Sequence, residues 1–352
     1  MARFRVLLSN EIKLFRTAIP IHLVVILQPT VMYLLMAVIL VHPTFDMSVA
    51  RPDTGLGWAL VAAMEEVRSP VGPRYIQPIL VERQGSDISR QVVVVEDRDG
   101  VATAVQHYGL IDSNLVKNLR NRLTAAALRL WDADLGQRAV VVDERPWLPR
   151  DVPYSVYFGM GLQTMAAFLA AAAIGAILTA QEFELGTILE YRLAPAPVAL
   201  ILGARLTRLV LTALIAAAFL LVAVGLVTGY WPRPLWRVVP ILFLVGVIAG
   251  CMGVLAGLLL RKTIPAFLVG LVGGFVGWIL GSGFGLAAGF GIWYQRVSRL
   301  TPLTHATELL FPSYYGQSVG SPLASLLFLV LLSGGLVVLT VWVYRQRVTR
   351  QA

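Results

Sequence analysis

Long apolar runs separated by short polar segments divide this chain. The runs at 19–41, 154–180, 206–229, 238–260 and 323–344 are each long enough to cross about 30 Å of hydrocarbon as a helix. Another, 264–294, is too long for one upright span, because at about 1.5 Å per residue it would reach roughly 46 Å. Its glycines at 273, 277, 281, 285 and 289 recur every fourth position, which lines small residues along one helix face. Such a ladder lets a second helix approach closely, so Gly273, Gly277, Gly281 and Gly285 are expected at a helix-packing or dimer interface. The pattern predicts a fifth span ending near Gly281, a break, and a re-entrant external segment near 282–310. One unbroken tilted helix is the alternative.

Between the first two runs the pattern changes. Across 42–153 charges appear and apolar runs shorten to soluble lengths. Ile79–Val81, Val92–Val95 and Val140–Val142 are strand candidates, and Glu96–Gly100 reads as a turn. That turn lacks the later glutamate of a calcium loop. Residues 113–131 predict a helix starting at Ser113, with Val116, Leu119, Leu123, Ala126, Ala127 and Leu130 as its buried stripe. Lys117, Arg120, Arg122 and Arg129 lie around the rest as a solvated face. The fold class that follows is a polytopic α-helical membrane protein with six transmembrane helices. Both termini lie inside, and a small α/β extracytoplasmic domain occupies 42–153.

Residues 1–18 predict an amphipathic interfacial helix, with Phe4, Leu7, Leu8, Ile12 and Phe15 on its apolar stripe. The 19–41 run lacks the short core and cleavage site of a secretory signal and reads as an uncleaved anchor. Gln28 in that run and Gln163 in the next span are candidate path-lining residues. The plain alternative for a lone intramembrane glutamine is a bond to a neighbouring helix.

Composition sharpens this picture. The chain is 57% hydrophobic and 14% charged over 352 residues. Residues 42–153 hold 13 Lys and Arg against 15 Asp and Glu, a net of −2, so the formal +9 of the whole leaves +11 on the remainder. That basicity suits anionic lipid headgroups rather than nucleic acid. With the N-terminus inside, the inner segments carry twelve Lys and Arg and the short outer loops carry four (Arg233, Arg237, Arg296 and Arg299), which supports that orientation. Cys251 is the single cysteine, so no intrachain disulfide can form. The four histidines are too scattered to suggest a zinc site. No Gly-x-x-x-x-Gly-Lys-[Ser/Thr] loop occurs, so this chain should not hydrolyse ATP.

The polar interruption at 181–205 carries the functional signal. Glu182, Gly186 and Glu190 fall at helical spacing, which puts both carboxylates on one side of a helix. Ala194-Pro195-Ala196-Pro197 then forces an elbow. A solvated loop is the bland alternative. Glu182, Glu184, Gly186, Thr187, Glu190, Pro195, Leu202, Gly203 and Arg205 together resemble the first cytoplasmic loop of type-2 ATP-binding-cassette (ABC) export permeases. Ala204 departs from that pattern, where a lysine often stands. Pro302, Leu303 and Glu308 resemble the family's second, external marker.

The resemblance implies a permease subunit in a prokaryotic cytoplasmic membrane. It implies that Glu182, Glu184, Gly186, Thr187, Glu190, Pro195 and Arg205 couple the chain to a separate ATPase. Two ATPase subunits would bind ATP and Mg, with no cofactor on this chain, and a second permease copy or paralogue would complete the path. An external domain between the first two spans resembles the subgroup exporting drugs, lipids or sodium. With no dense intramembrane carboxylate cluster, an amphipathic or hydrophobic cargo is expected. Two rivals remain: an intramembrane serine protease using Ser282 and His305, and a non-transporting assembly protein.

Overall fold

The computed structural model describes residues 2–17, 19–40, 45–68, 74–82, 92–98, 101–107, 113–134, 154–188, 190, 197–285 and 291–349. The expected strand at 140–142, the Asp99–Gly100 end of the turn, Pro195 and Gly289 lie outside them. In chain order the elements are α1 (Ala2–Thr17), α2 (Ile19–Leu40), β1 (Phe45–Ala50), α3 (Gly55–Glu66), β2 (Ile76–Val81), β3 (Val92–Arg98), β4 (Val101–His107) and α4 (Ser113–Asp134). Then follow α5 (Tyr154–Glu184), α6 (Val198–Thr228), a 3-10 turn at Leu235–Arg237, α7 (Val238–Leu260), α8 (Thr263–Leu280), α9 (Ile292–Ser298), α10 (Pro302–Tyr315) and α11 (Pro322–Thr349). They form two units, Met1–Val41 with Pro153–Ala352, and His42–Val152.

In the first unit, six helices are long and apolar enough to cross a membrane: α2, α5, α6, α7, α8 and α11. Helix α5 is the hub. Nearly every side chain from Ser155 to Ala180 is buried, and alanines dominate its middle. Small residues there let neighbouring backbones close in. A Cβ on Gly253 of α7 would sit 2.2 Å from the Ala172 carbonyl oxygen, and one on Gly270 of α8 would sit 3.1 Å from the same atom. The outer helices show apolar faces instead. Ile264, Leu268, Val272 and Val276 recur every fourth residue along α8 and are all exposed, as a surface against hydrocarbon requires.

The expected glycine ladder is therefore only partly used within the chain. Gly270 and Gly274 make the close approach of α8 to α5, whereas a Cβ on Gly273 would meet nothing within 4 Å. Gly277 faces only Leu303 Cδ1, at 3.7 Å, and Gly281 is the tight member, 2.7 Å from Leu303 Cβ. The reason is geometric: α5 covers the face of α8 adjacent to the ladder. Helix α8 stops at Leu280, and Ser282 takes a left-handed φ of 66° before the chain turns into α9.

The second unit holds a sheet of order β2-β1-β3-β4. Strand β1 runs parallel to β2 and β3, and β3 pairs antiparallel with β4 through Arg98↔Val101. Helix α3 makes the crossover between the parallel pair β1 and β2, capped by Thr54, whose Oγ1 accepts from the Gly57 N–H at 3.1 Å. Pro78 lacks a donor and sits on the edge strand β2. The core gathers Met47, Val49, Leu60, Met64, Ile76, Val93, Leu123 and Ala126. Of the predicted α4 stripe, Leu123 and Ala126 are buried and Leu130 is half-buried, but Ala127 is exposed. Nor are all its basic residues merely solvated. Arg122 donates to the Tyr75 carbonyl at 2.7 Å and lies over the Tyr75 ring, and burial pulls its guanidinium below its ordinary range. Arg129 donates to Glu66 O at 2.7 Å, serving a carbonyl at the end of α3.

Candidate coupling site

Helix α5 loses its apolar character at Gln181 and ends at Glu184. Gly186 then takes a φ of +71°, a conformation that only glycine adopts without strain. Past it, the Glu190 N–H donates to Thr187 O at 3.0 Å, closing a new helical turn. Glu182 and Glu190 therefore do not share one helix face, because the left-handed glycine separates them. Leu185, Gly186 and Glu190 are exposed, Thr187 is half-buried and Ile188 is buried.

Glu182 does not face solvent as a docking carboxylate. Its Oε1 accepts from Arg205 Nη2 on α6. Arg205 Nη1 also reaches Thr179 Oγ1 at 3.4 Å, and its Nε lies 3.7 Å from Glu11 Oε1 of α1. The other Glu11 oxygen accepts from Arg208 Nη1 at 3.0 Å, and Arg208 Nη2 lies 3.1 Å from His22 Nε2 of α2. A guanidinium only donates, so this His22 nitrogen accepts and the imidazole proton sits on Nδ1. Glu11, His22, Arg205 and Arg208 are all at most 5% exposed. Two arginines and two glutamates cancel, which is the condition for keeping charges in a dry interior.

Glu184 does different work. Its carboxylate is exposed and accepts from the Thr263 N–H at 3.1 Å and from the Thr263 hydroxyl. It thereby caps the N-terminus of α8, where a negative charge is favoured. Beside it, Arg261 lies over the Phe183 ring at 5.2 Å and closes α7 in a left-handed conformation of φ 55°. The end of α5 is thus tied to α6 by Glu182 and to the α7–α8 turn by Phe183 and Glu184. Leu202 is buried, and Gly203 approaches Phe4 of α1, with a Cβ there 3.7 Å from Phe4 Cε2.

The remaining expected residues lie elsewhere. Gln163 is 1% exposed and accepts from the Tyr314 hydroxyl at 3.0 Å, which bonds α5 to α10. Gln28 is half-buried, and its Oε1 has no partner among the described residues. Pro302 opens α10 and Leu303 is fully buried. Glu308 accepts from Ser325 Oγ at 2.6 Å, joining α10 to α11. The Ser282–His305 pair of a protease is not assembled. Ser282 Oγ has no partner among the described residues, while His305 contacts Ser325 Oγ and the Arg299 carbonyl, each at 3.0 Å. Among the described residues no group of three or more His, Cys, Asp or Glu could hold a metal ion.

Glu11, His22 and Arg208 were not singled out by the sequence pattern. Glu11 carried a readable signal all the same: a carboxylate at position 11 falls in register with Phe4, Leu8 and Phe15, inside the apolar stripe. Arg208 stands three residues after Arg205 on the same face of a long apolar helix.

The sequence profile of the ABC-2 family transporter proteins matches residues 86–342. No curated protein matches the chain. The profile covers well over half of the 352 residues and takes in every apolar helix but the first. The chain belongs to the ABC-2 transporter family, as the membrane-spanning permease of an ABC transporter.

Proposed function

We propose that this permease belongs to an exporter and takes its driving force from a separate ATPase docked on the turn at Leu185–Glu190. The observation that carries this reading is a short exposed turn projecting from a buried, charge-balanced anchor. Leu185 is 74% exposed, while Glu182 just before it is held by Arg205. Force applied to such a turn passes into α5 and α6 instead of dissipating in a loose loop. Two ATPase subunits would bind ATP and Mg, one against each of two permease copies or paralogues. The excess of basic residues on the segments flanking the turn supports a cytoplasmic place for it, and so an outer place for His42–Val152, in a prokaryotic inner membrane.

An amphipathic or hydrophobic cargo fits the placement of charge. Outside residues 42–153 the chain has five carboxylates, Glu11, Glu182, Glu184, Glu190 and Glu308. Four of them gather around the C-terminal end of α5, leaving no carboxylate in the middle of any of the six long apolar helices to ligate an ion.

The test is co-purification with a co-expressed P-loop ATPase. Leu185→Asp combined with Glu190→Arg alters only exposed side chains, so the chain should keep its fold. The expected result is loss of ATPase binding and of any ATPase stimulation. Full binding and full stimulation by this double variant would remove the turn from the coupling role.

A further inference from the structure

We propose that His305, Ser325 and Glu308 form a site for one proton, and that this proton clamps α10 to α11. His305 Nε2 lies 3.0 Å from the Arg299 carbonyl, and a carbonyl only accepts, so Nε2 carries a hydrogen. His305 Nδ1 lies 3.0 Å from Ser325 Oγ, which also lies 2.6 Å from Glu308 Oε2. A serine hydroxyl has one hydrogen and can donate to only one of these neighbours, so the other must donate to it. One further proton therefore sits on His305 Nδ1 or on Glu308. The surroundings put it on the ring. Glu308 lies beside Gly320, where a Cβ would be 3.4 Å from Oε2, two residues ahead of α11. A helix N-terminus favours a carboxylate there. The ring lies against Phe328, with centroids 4.1 Å apart, and an aromatic face stabilises a cation. The imidazolium then donates to Ser325, Ser325 donates to Glu308, and the carboxylate 3.9 Å from Nδ1 balances the charge.

Loss of that proton breaks the clamp. Nδ1 then turns a lone pair on the Ser325 oxygen, whose single hydrogen cannot serve both it and Glu308. The proton leaves to water, since the side chains of His305 and Glu308 remain 14% and 24% exposed. Two side chains of α10 hold Ser325 in the protonated form and one in the other, so acid favours the clamped junction and rising pH releases it. Among the described residues the packed elements bring little that could titrate instead. Helices α7 and α8 carry no Asp, Glu, Lys, Arg or His, and the charges of α11 lie at its far end, at Arg345 and Arg347. Arg237 of the 3-10 turn and Arg296 of α9 lie over the Trp236 and Trp293 rings, and Arg233 and Arg299 are exposed. Tyr157 of α5 interacts with Glu308, but its hydroxyl is committed to Ser282 O at 2.9 Å. The site itself stands apart from the coupling turn. On the orientation proposed above it opens outward, so external acidity would hold α10 against α11 and external alkali would free it.

The experiment uses the full chain in lipid nanodiscs, with buried Cys251 replaced by alanine. Spin labels go at Leu300, just before α10, and at Leu331 on α11, both exposed positions. Their separation is measured from about pH 5.5 to about pH 8.5, the interval in which histidines change charge. In the parent the distance distribution is narrow at the acid end and broadens or lengthens at the alkaline end. His305→Gln, whose amide donates at any pH, and Ser325→Ala, which removes the shared oxygen, each abolish that pH dependence. A parent distance that does not change with pH overturns the inference, whether or not either variant folds. A His305→Gln chain that keeps the parent's full pH response overturns it too. No ATPase is present, so failure here leaves the coupling role of the Leu185–Glu190 turn untouched.

Discussion

At the scale of single residues, the buried network around Arg205 sets the energetics. Glu11 and Glu182 neutralise two arginines that have little access to water. Removing one partner of a buried pair costs about 3–5 kcal/mol, chiefly because the other charge is stranded. Glu182→Leu and Glu11→Leu should each lower the thermal unfolding midpoint of the detergent-solubilised chain clearly. Glu184→Leu, which removes an exposed cap, should cost only about 1 kcal/mol. Equal small losses at all three positions would mean that water reaches the network. The acidic residues at 182–190 were legible in the sequence, but their division of labour was not. Whether Glu182 faces a partner or an arginine depends on α1 and α6 folding against α5, which no spacing within one segment encodes.

At the scale of elements, run length read the helices better than periodicity did. Helices α6, α7 and α11 are apolar nearly all round, so length and the absence of charge defined them. Which face packs inward was less legible, as α8 illustrates. Its glycines at 273, 277 and 281 and those at 270 and 274 make equally good ladders on paper. Only the position of α5 selects the second set. Gly270→Leu should therefore be severely destabilising, because a Cβ alone would already press on the Ala172 backbone at 3.1 Å. Gly273→Leu should leave the isolated chain's unfolding midpoint within a degree or two, since nothing lies within 4 Å. If instead Gly273→Leu weakens only self-association, the open glycine face is where the second permease copy packs. In the second unit, short runs pointed to positions now found in β2 and β3. Strand β1 carries no such run, and its pairing with β2 and β3 rests on contacts distant in sequence.

At the scale of the whole molecule, the distribution of basic residues sets the expected orientation, and labelling can measure its consequences. Twelve basic residues on one set of segments, against four on the short loops of the other side, favour the end carrying Glu182, Glu184 and Arg261 as cytoplasmic. The opposite orientation would set that basic excess against the membrane potential and deny the coupling turn any access to an ATP-driven motor. Single cysteines at Leu185 and at Glu65, both exposed positions, report the two sides in a Cys251→Ala background. A membrane-impermeant maleimide added to intact cells should label Glu65→Cys in the second unit and leave Leu185→Cys untouched. Permeabilisation should then expose Leu185→Cys. Labelling of Leu185→Cys from outside would reverse the assignment of every loop at once, and the turn could no longer serve as the seat of a cytoplasmic ATPase. The buried ion network would stand unchanged by that result, since it depends on helix packing alone. The labelling therefore separates what the fold requires from what transport requires.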